Sequence, residues 1–277
     1  MALVVRHLFR YPVKGLTAEP LAAVDLAAGD GVPGDRRFAL VRGDTRADGW
    51  VPKEKCVMLM RDAALARLRT TSDADGVTLA APDGRTLRAS LATSEGRTRI
   101  EAFVNAFIGA RPEGAARLVE AGALSFTDLP QNCLSLIGLA SVAELGERMG
   151  TTLDPLRFRA NVYVAGGAPW EELAWVGREV DLGAVRVRVQ ARIPRCAATG
   201  VNPATGERDQ NVVKTLRAAY GHHDMGVYAE VIAGGQLGVG DAVHPFPGDA
   251  PGAVGGLVRK AAFFARQVVL YLRARRT

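Results

Sequence analysis

Apolar and polar positions alternate with period two along much of this chain, and each such run predicts a short β-strand with one buried face. The clearest is Val185-Arg-Val-Arg-Val-Gln-Ala-Arg-Ile193, strictly alternating until Pro194 stops it. Leu3 to Phe9 forms another, broken by Pro12 and Gly15, and Arg37-Phe-Ala-Leu-Val41 a third. Val77-Thr-Leu and Thr86-Leu-Arg flank Pro82-Asp-Gly, a hairpin turn signal. Arg157-Phe-Arg-Ala-Asn-Val-Tyr-Val164 also reads as a strand, with Phe158, Ala160, Val162 and Val164 on one face and Arg157, Arg159 and Asn161 on the other. Helical spacing appears from Ser135 to Met149, where Leu139, Val142, Leu145 and Met149 recur before Gly150. Residues 97–109 follow no single period. Leu237 to Val243 reads as a turn entering a closing strand, and Leu257 to Arg273 as a helix. The expected fold class is mixed α/β and mostly β, with a barrel-like core and a few flanking helices.

Composition agrees with that pattern. Thirty-one Gly and 14 Pro, spread along 277 residues, suit many short strands joined by turns rather than a helical bundle. The net charge of +6 has a local origin. Residues 251–277 carry Arg259, Lys260, Arg266, Arg273, Arg275 and Arg276 and no acid, and removing those six leaves 29 basic residues against 29 acidic ones. A neutral body does not suit a nucleic-acid-binding surface. Three widely spaced cysteines (Cys56, Cys133 and Cys196) build neither a disulfide framework nor a short-spaced zinc or iron–sulfur site. The opening apolar run is too short for a signal peptide, so the expected location is the reducing cytoplasm.

Several residues are candidates for chemistry. Cys196 stands where a strand gives way to the loop Pro194-Arg-Cys-Ala-Ala-Thr-Gly200, beside Arg195, and a neighbouring cation favours the thiolate that binds metals. A buried structural cysteine is the competing reading. Arg157, Arg159 and Asn161 are either a row of anion donors or the solvated face of an edge strand. Lys14, Arg36 and Arg37 sit at loop–strand junctions, and Gly15 allows close backbone approach to an anion. The four His residues have no metal-binding spacing, and there is no nucleophile elbow, phosphate loop or dinucleotide fingerprint. Arg259, Arg266 and Arg273 form a basic stripe on the tail helix opposite a broad apolar arc. That arrangement suits docking on the body or a partner subunit, or lying on an anionic membrane surface.

Five stretches, in order, resemble the MOSC family, and most nearly its two-part members such as the mitochondrial amidoxime-reducing component and its bacterial counterparts. They are Tyr11-Pro-Val-Lys-Gly-Leu, Gly34-Asp-Arg-Arg-Phe-Ala-Leu-Val, Leu136-Ile-Gly-Leu-Ala-Ser-Val-Ala-Glu-Leu, Arg157-Phe-Arg-Ala-Asn-Val-Tyr-Val and Arg195-Cys-Ala-Ala-Thr-Gly-Val-Asn-Pro-Ala-Thr-Gly. The resemblance implies an N-terminal MOSC β-barrel segment over 1–120, a MOSC domain over 121–247 with a β-barrel core, and a basic tail helix over 248–277. It implies a molybdenum cofactor (molybdopterin with Mo) whose metal is ligated by Cys196, which is also the catalytic position. Lys14, Gly15, Arg36, Arg37, Ala140, Ser141, Arg159, Asn161, Arg195 and Thr199 are the implied cofactor-binding residues. The implied activity is reduction of N-hydroxylated or N-oxide-type small molecules, with electrons from a separate donor protein, since no ferredoxin-like cysteine cluster follows. The alternative is a cofactor carrier or sulfur-transfer protein using a persulfide on Cys196. The chain departs from relatives at Gly15, where they commonly have serine, at Pro194, and at Asn202, where an aspartate is usual.

Overall fold

The computed structural model describes residues 2–47, 49–73 and 76–247. Along the chain run β1 (Val4–Arg10), β2 (Val13–Lys14), β3 (Glu19–Leu21), β4 (Ala23–Leu26), β5 (Phe38–Val41), β6 (Arg69–Asp73), β7 (Gly76–Ala80), β8 (Thr86–Ala89), α1 (Ser94–Ile108), β9 (Arg117–Glu120), β10 (Leu134–Gly138) and α2 (Leu139–Arg148). They are followed by β11 (Val162–Ala165), β12 (Glu179–Leu182), β13 (Val185–Pro194), α3 (Val212–Tyr220), β14 (Asp224–Ala233), β15 (Gly235–Gly238) and β16 (Val243–Pro245). The mostly-β expectation holds.

Eight strands form one curled sheet in the order β16-β12-β13-β14-β10-β11-β1-β3. Only β10 and β11 pair in parallel; the other neighbours are antiparallel. Hydrogen bonds from Val5 N to Asp241 O (2.8 Å), Gly240 N to Val5 O (2.8 Å) and Val243 N to Leu3 O (2.9 Å) form a seam between β1 and the segment entering β16. Alternation in β13 sends Val185, Val187, Val189, Ala191 and Ile193 inward. The valines there join Val5, Leu8, Leu136, Val162, Val227 and Leu237 in the largest core. A second core gathers β5, the β6–β8 meander and α1 around Leu40, Leu65, Leu79, Ile100 and Leu118, and it takes in Val201 from the loop after β13. That shared valine seats the Cys196 loop on the N-terminal layer.

Two expectations change, and one stretch without a period resolves. Ser135–Gly138 is strand, not helix: Leu134, Leu136 and Ile137 are fully buried because β10 is flanked by β11 and β14, and a strand enclosed by sheet reads as a continuous apolar run. Residues 157–161 are not strand. Pro155 starts a 3-10 turn capped by Asp154, whose carboxylate accepts from Leu156 N at 2.8 Å, and Arg159 then turns left-handed at φ 52°. Only Val162–Ala165 joins the sheet. The region without a period falls almost wholly within α1, which is capped by Thr93 Oγ1 on Gly96 N (3.1 Å) and buried through Gly96, Ile100 and Val104, one turn apart. The proposed tail helix lies outside the described residues. No helix among the described residues is long and apolar enough to cross a membrane.

Candidate functional site

A cleft, open to solvent, lies where the β2 turn, the 53–59 loop, the left-handed corner after Phe158 and the Cys196 loop converge. Lys14, Gly15, Arg36, Arg159, Asn161, Arg195, Cys196 and Thr199 all line it, although up to 185 positions separate them. The fold thus gathers eight of the sequence-derived candidates at one place.

The cations are held by backbone and by one another. Arg36 pairs with the buried Asp35 and donates through Nη2 to the carbonyl of Arg159 at 2.7 Å. Arg36 and Arg159 stand 4.5 and 4.3 Å from the Tyr11 ring centroid, so one buried phenol ring steadies two guanidinium groups. Both residues are left-handed, at φ 47° and 52°. Such strain in a residue with a Cβ persists only where its surroundings enforce it, and it collects at ligand sites. Burial lowers Arg159 to about 10, opposed by Tyr11 and assisted by Arg36. Burial also lowers Arg195, whose Nε and Nη1 donate to the carbonyls of Met225 and Phe158 at 2.8 Å each.

Buried donors remain unspent here: Nη2 of Arg159, Nη2 of Arg195, and Nε and Nη1 of Arg157 have no acceptor. The Arg157 side chain is 5% exposed and held by Asp209 Oδ2 at 2.7 Å. A buried charged donor without an acceptor is costly, and an anion in the cleft would relieve it.

Cys196 is a free, half-buried thiol at the N-cap of the 3-10 turn Ala197–Gly200. Its carbonyl accepts from Thr199 Oγ1 (2.9 Å) and Thr199 N (3.1 Å), which fixes the loop. Arg208 clamps that loop to the N-terminal layer by donating to Ala197 O (3.3 Å) and to the carbonyls of Leu59 and Met60 (2.8 Å each). Cys56 and Cys133 are buried, and burial pushes their thiols up to about 11 and about 12.

Other candidates have other surroundings. Arg37 is exposed, does not line the cleft and pairs with Glu120 at 2.6 Å, while its neighbour Arg36 turns left-handed into the cleft. Ala140 and Ser141 do not line the cleft. Ser141 Oγ donates to the buried Glu172 at 2.7 Å and accepts from Trp170 N at 2.7 Å. Asn161 lines the cleft, but its amide is engaged: Oδ1 accepts from Ser135 N (3.2 Å) and Ser135 Oγ (2.8 Å), and Nδ2 donates to Phe9 O (3.2 Å).

Sequence reasoning missed Lys53 and Asp128. Lys14 Nζ donates to Phe126 O (2.8 Å) and Asp128 Oδ1 (2.9 Å), while Lys53 Nζ donates to Asp128 Oδ2 (3.0 Å). Burial alone would raise the Asp128 carboxyl, but the two ammonium groups hold it well below the usual carboxylate range. No local motif announces a carboxylate shared between lysines so distant in sequence. Among the described residues, no group of three or more His, Cys, Asp or Glu could hold a metal ion.

Two family models cover most of the chain: MOSC N-terminal beta barrel domain over residues 2–121 and MOSC domain over 124–244. The chain is 32% identical over 128 residues to mitochondrial amidoxime reducing component 2 of Homo sapiens, spanning 42% of this chain and 38% of that protein. It is 33% identical over 115 residues to molybdenum cofactor sulfurase of Drosophila ananassae, spanning 39% of this chain and 14% of that protein. These matches thus span well under half the length of either relative. Among solved structures, the YUAD protein from Bacillus subtilis overlays 90% of this chain and 98% of its own, with TM-score 0.43 and 13% identity.

Proposed function

The chain belongs to the MOSC family, and from that premise we propose that its cleft holds a molybdenum cofactor and that it reduces N-hydroxylated or N-oxide-type compounds. One observation supports the cofactor reading above the rest: a half-buried free thiol shares a cleft with buried guanidinium N–H groups that have no acceptor. A phosphorylated pterin bearing a metal with an open thiol position fits such a donor set. The phosphate is an anion for the arginines, and the soft thiolate is a suitable ligand for molybdenum.

Lys14, Arg36 and Arg159 would hold the phosphate end, with Gly15 giving backbone access. Arg195 and Thr199 would keep the Cys196 loop in shape, and Cys196 would be the protein ligand. When bound, the cofactor supplies the two-electron redox chemistry. The substrate's N–O bond breaks, two electrons and two protons are consumed, and the products are the N–H compound and water. The electrons come from a separate donor protein. The residues of the chain orient the cofactor, and their low-dielectric surroundings strengthen each charge contact.

The test is molybdenum and pterin content of the full chain made in a cofactor-competent, molybdenum-replete host, beside Cys196→Ala, followed by turnover of an amidoxime with an artificial reduced donor. The expected result is both components in the parent, loss or altered spectra of the metal in the variant, and turnover by the parent alone. A parent that carries neither and cannot be loaded overturns the reading. The similarity to a molybdenum cofactor sulfurase favours a second reading, a cofactor carrier or sulfur-transfer protein with a persulfide on Cys196. A loaded parent without amidoxime turnover would favour it.

A further inference from the structure

The cations that line the cleft include two groups apart from Arg157 and Arg195. Arg36 and Arg159 flank Tyr11, and the groups that act electrostatically on Arg159 include Tyr11, Arg36 and Asp35. Lys53 belongs elsewhere. It rises from the 3-10 turn Lys53–Lys55 of the N-terminal segment, and the groups that interact with it electrostatically include Asp128, Cys196 and Glu54. Burial lowers its ammonium, but Asp128 reverses the effect and raises it overall, so it stays protonated across the neutral range.

Asp128 does not cancel this charge. Its two oxygens are divided between Lys14 and Lys53, so the trio retains one net positive charge. Lys14 is the inner member, with 9% of its side chain exposed and donors committed to Phe126 O and Asp128. Lys53 is the outer member, 27% exposed, and one bond to Asp128 leaves an ammonium with further donors. A cation fixed at one point by a shared carboxylate, in the same cleft as the thiol and partly exposed, is placed to read charge on an incoming molecule.

We propose that Lys53 makes the mouth of the cleft selective for small molecules that carry a carboxylate or another oxyanion close to the group that enters towards the Cys196 loop. For turnover this rests on the reductase reading and specifies its substrate class: N-hydroxylated compounds with an anionic substituent. The selectivity itself belongs to the polypeptide and is measurable without cofactor.

The test uses the full chain made without cofactor and compares the rates at which anionic iodoacetate and neutral iodoacetamide alkylate Cys196, followed on the Cys196 peptide by mass spectrometry. Removing one nearby unit charge should lower the iodoacetate-to-iodoacetamide ratio by about threefold to tenfold in Lys53→Gln. Lys53→Arg should keep the parental ratio, as should Lys55→Gln, since Lys55 is exposed and does not line the cleft. Rising salt should shrink the gap between parent and Lys53→Gln. In the loaded enzyme, the kcat/KM ratio of a carboxylate-bearing amidoxime to its neutral amide analogue should fall in the same variant. A Lys53→Gln ratio within twofold of the parent overturns the proposal, and so does an equal fall in Lys55→Gln. If the parent fails to load cofactor but its alkylation ratio depends on Lys53, the reductase reading fails while the anion selectivity stands.

Discussion

Asn161 gives the sharpest test of structure against motif, because family resemblance makes it a cofactor ligand while its hydrogen bonds make it a strut. Asn161→Ala would strip partners from three groups around a residue only 2% exposed: Ser135 N–H, Ser135 Oγ and the Phe9 carbonyl. Each buried polar group left unsatisfied costs about 1–3 kcal/mol. Ser135 Oγ still receives Asn161 N, which holds the total near the lower end, about 3 kcal/mol. For a chain of this size each kcal/mol lowers Tm by roughly 2–4 °C, so the expected fall is about 6–12 °C. The assay is thermal unfolding followed by circular dichroism on cofactor-free protein. A strut weakens the empty protein as much as the loaded one, whereas a pure ligand weakens only the loaded one. A cofactor-free Asn161→Ala protein melting within about 2 °C of the parent would refute the reasoning.

Two further outcomes follow from the same geometry. Gly15 has φ 90°, and an added Cβ would lie 3.3 Å from Val57 O and 3.4 Å from Met58 Cα, so Gly15→Ser should destabilise by about 1–3 kcal/mol in urea unfolding. A neutral or stabilising effect would show that the β2 turn can relax. Asp128 has a depressed folded pKa, so its ionic contribution is complete above the unfolded carboxylate value and is lost as pH falls below it. The stability gap between parent and Asp128→Asn should therefore narrow from pH 6 towards pH 3, and a gap that widens in acid would contradict the Lys14–Asp128–Lys53 arrangement.

Where one physical signal dominated, the sequence was readable. Strict alternation set β13, and the same strand's stop at Pro194 placed Cys196 at a loop. Asp154 and Pro155, a cap followed by a favoured first position, were signals for a turn, yet the alternating apolar residues after them imitated a strand. Helix α1 was obscured because its buried positions are glycine, isoleucine and valine among charged neighbours. Arg36 and Arg37 were indistinguishable by type, and only a positive φ separates the one that faces the cleft from the one bound to Glu120. Lys53 and Asp128, 75 positions apart, meet through tertiary folding alone.

The seam between Leu3–Val5 and Gly240–Val243 has a kinetic consequence. It joins positions more than 230 apart, and β1 also pairs with β11, over 150 residues downstream. Long loops must close before either contact forms, which raises contact order and slows folding. During synthesis the first strand must wait, with its pairing edge open, until almost all of its partners have emerged. A fragment ending near residue 121 would keep β1 without the β11 edge it needs, and an unsatisfied strand edge invites association with other chains.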